Sequence, residues 1–317
     1  MRLTPNVFPA SSGDLLELLD AVQDQLLIGC VSEGMERLFI GLREQRLGRT
    51  AEEWKPLADV CLRHPLRALI HQDALTERCF RKPRGYPGDA PLLDIIYGVE
   101  YFDADTRPPT ALGAAIRAYL LDEPAARAVR YRRELLAALL DRVGGEVQRP
   151  RVLSVAAGHL REVELSEVVR GGRVGEYLAL DQDAASLQEV QRRYGQFGLT
   201  TWHASLRPLL TSDHEFGPFD LIYVAGLYDY LAAPTARRLT RNLFALLTPG
   251  GRLLVANFLP GILDVGYMES FMDWKLIYRT RKEMLEISLD IPQADLADLR
   301  IFAEENQNII FLLCVKR

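Results

Sequence analysis

From Ser12 to about Gly144 the apolar residues recur every third or fourth position, as in LLELLDAVQDQLLIG and MERLFIGLREQRLG. That period lays one apolar stripe along each helix and predicts an all-α N-terminal half. One segment interrupts it. Arg81-Lys-Pro-Arg-Gly-Tyr-Pro-Gly-Asp89 packs two prolines and two glycines into nine residues, which predicts a turn-rich loop. A long helix from about Pro124 to Val143 opens with proline at a first helical position and is expected to stop at Gly144-Gly145. The domain boundary is placed there, with residues 1–145 as a helical N-terminal domain that caps the substrate and residues 146–317 as a second domain.

Beyond Pro150 the period changes to short apolar runs alternating with helical stretches, the mark of βα units around a parallel sheet. The predicted strands are Arg151–Val155, Glu176–Leu180, Leu199–Trp202, Phe219–Val224 and Arg252–Phe258. Runs such as LIYVAG and LLVANF suit strands covered on both faces. At the end, Leu299–Ala303 and Ile309–Val315 flank the polar stretch Glu304–Asn308, which fits an antiparallel hairpin. The expected class is therefore α/β, a mostly parallel Rossmann-like sheet with an antiparallel last strand, preceded by an all-α domain.

Composition narrows the function classes. With 48% hydrophobic and 26% charged residues the 317-residue chain can bury a core in each domain, and its net charge of −5 carries no basic run to follow a phosphate backbone. Nucleic acid is not an expected partner. Cys30, Cys61, Cys79 and Cys314 show no metal-ligand spacing and are read as reduced thiols, so no metal site is expected. The first residues lack a leader pattern and no apolar run reaches about 18 residues. Together these predict a cytoplasmic protein without membrane insertion, and a homodimer is one assembly the sequence permits.

The first βα turn of the second half reads Val152-Leu-Ser-Val-Ala-Ala-Gly-His-Leu-Arg-Glu162. A glycine closing the first strand lets a ligand approach the backbone, and the following helix start offers N–H groups. Twenty-three residues after Gly158 the second strand ends in Leu180-Asp181-Gln182-Asp183, where Asp181 can accept hydrogen bonds from two ribose hydroxyls. A dinucleotide fingerprint GxGxxG laid over the turn would put arginine (Arg161) at its third glycine, a position that serves close helix–strand packing. Dinucleotide binding is disfavoured.

From Arg151 to Arg317 the sequence resembles the class I S-adenosylmethionine-dependent methyltransferases, on the turn VLSVAAGHLRE, the acidic strand end LALDQD and the segment TRNLFALLTPGGRLLV. It departs from the family pattern at Ser154, where an acid is usual, and at Ala156 and Leu160, where glycines are usual. The resemblance implies that Ala156, Ala157, Gly158, Leu160, Asp181, Gln182, Ser205, Leu206, Ala225, Gly226 and Leu227 line S-adenosyl-L-methionine. It also implies that FDLIYVAGLYDY forms the fourth strand and its exit, where cofactor and acceptor meet. The loop RKPRGYPGD, with LLDIIY, GLYDYL and MDWKLIYR, further resembles bacterial small-molecule methyltransferases of fatty-acid (3-hydroxypalmitic acid) methyl ester biosynthesis.

The loop carries Arg84 and Tyr86, which are expected to close over the cofactor and neutralise an acceptor carboxylate. A lid insertion at 259–292 is expected to line an apolar acceptor through Tyr267, Trp274, Tyr278 and Arg279, together with Tyr230. Methyl transfer from a sulfonium needs alignment and exclusion of water, and a base only if the acceptor must lose a proton. Asp229, Tyr228, Tyr230 and His203 are the candidate bases, with Tyr86 and Arg84 as further catalytic candidates. Three readings stand: O-methylation of a small metabolite or natural-product intermediate, N-methylation of an amine or heterocycle, and a non-catalytic cofactor-binding module.

Overall fold

The helical period of the first half is realised, in a computed structural model that describes residues 12–100, 110–211 and 216–317, as seven helices: α1 (Ser12–Leu27), α2 (Val31–Arg46), α3 (Ala51–Arg63), α4 (Leu66–Ile70), α5 (Ala74–Arg81), α6 (Ala90–Tyr97) and α7 (Ala111–Asp122). The first residues, read for a leader pattern, lie outside the described residues up to residue 11. Side-chain oxygens start several helices by taking otherwise unpaired N–H groups. Thr50 and Glu53 form a reciprocal capping box on α3, Asp73 accepts from the Thr76 N–H at 2.7 Å on α5, and Asp89 accepts from the Leu92 N–H at 3.0 Å on α6.

Asp89 has a second task. Its carboxylate also receives the Arg78 guanidinium through Nε at 2.8 Å and Nη2 at 2.7 Å, and both side chains are buried. The turn-rich loop between α5 and α6 is thus anchored by a bidentate ion pair that binds its last residue to the helix before it. Asp73 repeats the pattern, capping α5 while pairing with Arg117 of α7 at 3.2 Å.

The next helix, α8 (Pro124–Glu146), runs through Gly144-Gly145 instead of stopping there. Gly144 serves close packing: a methyl group on it would lie 2.5 Å from the Val168 side chain. The compact units divide earlier, inside α8, into Met1–Arg127 with Gly261–Lys275 and Ala128–Pro260 with Leu276–Arg317. The expected boundary at 145 stands at the far end of the same helix, and the expected lid insertion is split between the units. Segment 261–275 is tied into the helical unit by polar contacts. Arg46 pairs with Glu269 at 2.6 Å, His71 meets the Phe271 carbonyl at 2.9 Å, Tyr267 meets Thr76 at 2.8 Å, and Lys82 pairs with Asp273.

The second unit holds β1 (Arg151–Val155), α9 (Glu167–Arg170), β2 (Glu176–Asp181), α10 (Ala184–Tyr194), β3 (Leu199–His203), α11 (Arg207–Thr211), β4 (Phe219–Val224), α12 (Ala233–Ala245) and β5 (Leu247–Phe258). The helix α13 (Val265–Ser270) lies in the segment that joins the helical unit; α14 (Arg281–Glu286), β6 (Leu296–Ala303) and β7 (Ile309–Lys316) complete the second. The strands form one seven-stranded sheet in the order β3-β2-β1-β4-β5-β7-β6, with only β7 reversed. The sheet is Rossmann-like and mostly parallel, with one antiparallel strand. The hairpin turn is organised by Glu304, whose buried carboxylate accepts the N–H groups of Asn306, Asn308 and Ile309.

Alternation along the strands separates two faces. Leu153, Val155, Ile222, Val224, Leu253 and Val255 pack with Leu239, Leu243 and Phe244 of α12 and Met284 of α14 in one apolar cluster. Ser154, Tyr177 and Tyr223 take the other face. Cys61, Cys79 and Cys314 are buried and Cys30 is exposed, all as free thiols. Among the described residues no helix is long and apolar enough to cross a membrane, and no group of His, Cys, Asp and Glu is arranged to hold a metal ion.

Two predictions follow from the helical unit. D89A leaves the Arg78 guanidinium buried without its anion and is expected to lower the unfolding free energy by about 3–5 kcal/mol, as measured by urea titration. Asp264 is 5% exposed, and its Oδ2 and the Oε2 of Glu123 have no hydrogen-bond partner among the described residues. Burial, then the Glu123 charge, pushes the Asp264 carboxyl up to about 7. The native state therefore keeps a proton that the unfolded chain releases near pH 4, so this contribution to stability is full below about pH 4 and is lost as pH rises through about 7. D264N is expected to flatten the stability profile across that window.

Candidate cofactor site

The sheet order reverses between β1 and β4: from β1 the chain builds outward through β2 and β3, from β4 through β5. Strand exits on either side of such a reversal diverge and leave a crevice at the carboxyl ends of the strands. The exits here are open while the strand bodies are buried. Ala156, Ala157, Gly158, Ala225 and Leu227 are half-buried, and Gln182, Ser205 and Gly226 are exposed.

The turn after β1 is built by alternation of an unusual kind. Ala156, Gly158 and Leu160 each adopt φ 55°, the left-handed conformation that glycine takes without cost. The two departures from the family pattern at Ala156 and Leu160 thus keep the backbone shape that glycines would provide. Leu160 turns its side chain into the core, whereas Ala156 stays half-buried at the exit.

Asp181 fastens this turn to the next strand. Its Oδ2 accepts from the Gly158 N–H at 2.8 Å and its Oδ1 from the Asp183 N–H at 2.8 Å, while its backbone oxygen accepts from the Ala204 N–H at 3.0 Å. The exits of β1, β2 and β3 therefore meet on one residue. Burial raises the Asp181 carboxyl above its ordinary range, and the N–H groups of Asp183 and Gly158 oppose that shift. A carboxylate oxygen that accepts one hydrogen bond retains a lone pair for another, so Asp181 can still receive two donors.

Ser154, where the family pattern has an acid, is buried on the second face of β1. A carboxylate is supplied there from elsewhere in the chain. The Tyr223 hydroxyl donates to Glu162 Oε1 and is hydrogen-bonded to the Tyr177 hydroxyl. Burial pushes the Glu162 carboxyl up, with Tyr223 opposing.

At the β4 exit the candidate catalytic groups are otherwise engaged. Tyr228 is 0% exposed and its hydroxyl meets Thr240 Oγ1 at 2.8 Å, which makes it a core residue rather than a group presented to a crevice. Asp229 is buried and accepts the Phe258 N–H at 2.7 Å, and burial pushes its carboxyl up to about 6. Arg279, expected to face substrate, is buried and donates to the Tyr228 carbonyl and to Asn257 Oδ1, each at 2.6 Å, and to the Leu231 carbonyl, so it splints the β4 exit. Tyr230 is exposed and Tyr278 half-buried.

His203 and the segment after it occupy the β3 exit. The exposed His203 ring contacts the Gln182 carbonyl through Nε2 at 3.0 Å, and Leu206 packs partly against the apolar cluster. Arg84, Tyr86, Tyr267 and Trp274 belong to the helical unit. Arg84 and Tyr86 are half-buried in the loop after α5. Tyr267 is buried with its ring stacked on Phe39 at 4.6 Å, and Trp274 lies against Gly88, where a methyl group would come within 2.5 Å of its ring. Both pack within that unit. Arg132, which no motif marks, is buried in α8 and donates from Nη1 to the Ala225 carbonyl.

No protein-family model and no curated protein matches the chain. Among solved structures, a possible exported protein from Bordetella parapertussis is similar at 16% identity, over 99% of this chain and 99% of that chain, with a TM-score of 0.56. Magnesium protoporphyrin IX methyltransferase from Synechocystis PCC 6803 with bound SAH matches at 12% identity over 71% of this chain and 92% of that chain, with a TM-score of 0.46. The N-methyltransferase NodS from Bradyrhizobium japonicum WM9 in complex with S-adenosyl-L-homocysteine matches at 14% over 62% and 89%, with a TM-score of 0.42. At these identities the likeness is one of fold.

The left-handed turn gives a test with two opposite signs. A156G relieves a strained residue and is expected to raise stability by about 0.5–1 kcal/mol. L160G relieves the same strain but empties a buried site, and a loss of about 2–4 kcal/mol is expected in the same urea titrations.

Proposed function

We propose that the chain is an S-adenosyl-L-methionine-dependent methyltransferase that methylates an oxygen of a small acceptor. The observation that carries this reading is the Asp181 carboxylate, held beside the left-handed turn at the sheet's reversal point with a lone pair left on each oxygen. In this reading Asp181 accepts the two ribose hydroxyls, and Gly158, with Ala156, Ala157 and Leu160, leaves room for the ligand against the backbone. Gln182, Ser205 and Leu206 border the adenine, and Ala225, Gly226 and Leu227 border the amino-acid part. Bound there, the cofactor supplies a methyl group on a sulfonium, whose leaving group needs no proton.

The state of the candidate bases favours an acceptor that is ionised before it binds. Tyr228 gives its hydroxyl to the Thr240 contact, Asp229 holds a backbone N–H, and the His203 ring lies on the Gln182 carbonyl. A carboxylate needs none of them. This agrees with the resemblance to the fatty-acid methyl ester group, so 3-hydroxypalmitic acid belongs in the first panel of acceptors.

Calorimetry with S-adenosylhomocysteine is expected to show binding, and D181A is expected to weaken it by about a hundredfold, because two hydrogen bonds to a charged group are lost. No detectable binding to the wild-type chain would overturn the reading. With a carboxylate acceptor, kcat/KM is expected to stay level from about pH 6 to 9, since the nucleophile is ionised throughout. A tenfold rise per pH unit would mark an amine acceptor instead, and binding without turnover on acids, phenols and amines a non-catalytic module.

A further inference from the structure

Helix α8 carries two stripes. The first, Val129, Arg132, Leu136, Leu140 and Val143, is buried. The second, Tyr131, Leu135, Ala138 and Arg142, repeats at steps of four, three and four residues, with Leu139 beside it. Tyr131 and Ala138 are exposed, and Leu135 and Leu139 are half-buried. Steps of four and three make the seam of a helix that packs along another helix, and the aliphatic stem of Arg142 serves at the fourth place. Beside the seam lies a groove of about 680 Å³, lined by Leu135, Ala138 and Leu139 and by Leu254, Phe302 and Leu313 of the sheet. Leu254 and Leu313 continue the row that runs from Ser154 through Tyr223, so the groove is the outer part of the sheet's second face, in the same unit as the seam. The two arginines that line it already have carboxylate partners, Arg142 in Glu146 at 3.1 Å and Arg300 in Asp298 at 2.6 Å. An apolar strip edged by charges of both signs matches a surface of the same pattern better than it matches a free anion.

We propose that this face is where two copies of the chain meet, α8 against α8, antiparallel about a twofold axis opposite Ala138. Residues equally far before and after Ala138 then face each other across the axis. The exposed Glu134 meets Arg142 of the partner subunit, and Arg130 meets Glu146 of the partner subunit. Tyr131 lies over Gly145 of the partner subunit, and no atom of the chain stands within 4 Å of a Cβ built on that glycine. Opposite charges meet at both polar pairs, and the symmetry makes each contact twice. A parallel pairing would set every charge against its own copy. The small side chain at the axis lets the two helices approach closely.

Sedimentation equilibrium on the full chain tests this. The wild-type protein is expected to be a dimer at about 10 µM. A138E sets two carboxylates against each other at the axis and is expected to raise the dimer Kd by at least about a hundredfold. E134R and R142E are each expected to raise it by about tenfold, and E134R/R142E to bring it back to within about threefold of wild type, because the exchange restores the opposite charges. In a C30S background, which removes the exposed thiol, A138C is expected to form a disulfide-linked dimer on mild oxidation. A wild-type chain that is monomeric at about 100 µM would overturn the proposal, as would a dimer that A138E leaves intact. Additive weakening in E134R/R142E, or a dimer that A138C does not cross-link, decides against this face as well. The charge exchange and the cross-link still decide the matter if A138E fails to fold.

Discussion

A carboxylate buried at the end of a strand must be given hydrogen bonds, and at Asp181 the donors are backbone N–H groups of the chain's own turns. That requirement organises the carboxyl edge of the sheet. To bring its N–H onto Oδ2, Gly158 sits in a turn with left-handed residues on both sides, and the same carboxylate gathers Asp183 at the start of α10. The edge is thereby preformed, with little ordering left for a ligand to impose.

The second face of the sheet answers a related constraint. Tyr177, Tyr223 and Glu162 form a buried polar chain under the first turn, and every member has a partner. Such a chain is specific where it is fully satisfied and costly where it is not. It explains how Ser154 can replace an acid on β1: a carboxylate reaches that face from Glu162, on the turn that follows. Arg279 ties the β4 side together, donating to the Tyr228 and Leu231 carbonyls and to Asn257 Oδ1.

The helical unit depends on paired charges at its loops. Asp89 and Asp73 each cap one helix and bind an arginine of another, so a turn that reads as exposed and basic is anchored from beneath. The chemical weight of RKPRGYPGD is therefore divided: Asp89 holds the loop in place, and Arg84 and Tyr86 are the half-buried side chains the anchored loop displays.

Local pattern was enough for much of this protein. Apolar spacing determined the seven strands, their helical crossovers, the polar hairpin turn and the all-α first half, because secondary-structure period is written in neighbouring residues. The turn at Gly158 and the acid at Asp181 were also legible, as each ends a strand with a residue type that only a few backbone roles explain. Partnerships over long separations were not. Tyr228 and Arg279 read as site residues until the fold met their polar atoms with Thr240, Asn257 and backbone carbonyls. Gly144 read as a helix stop although it makes room for Val168, the partners of segment 261–275 on α2, α5 and the loop after it left no mark in the sequence, and Arg132 carried no motif at all. The reason is physical: whether a polar side chain is a free reagent or a structural tie depends on what occupies its hydrogen bonds, and that is decided only when distant segments pack.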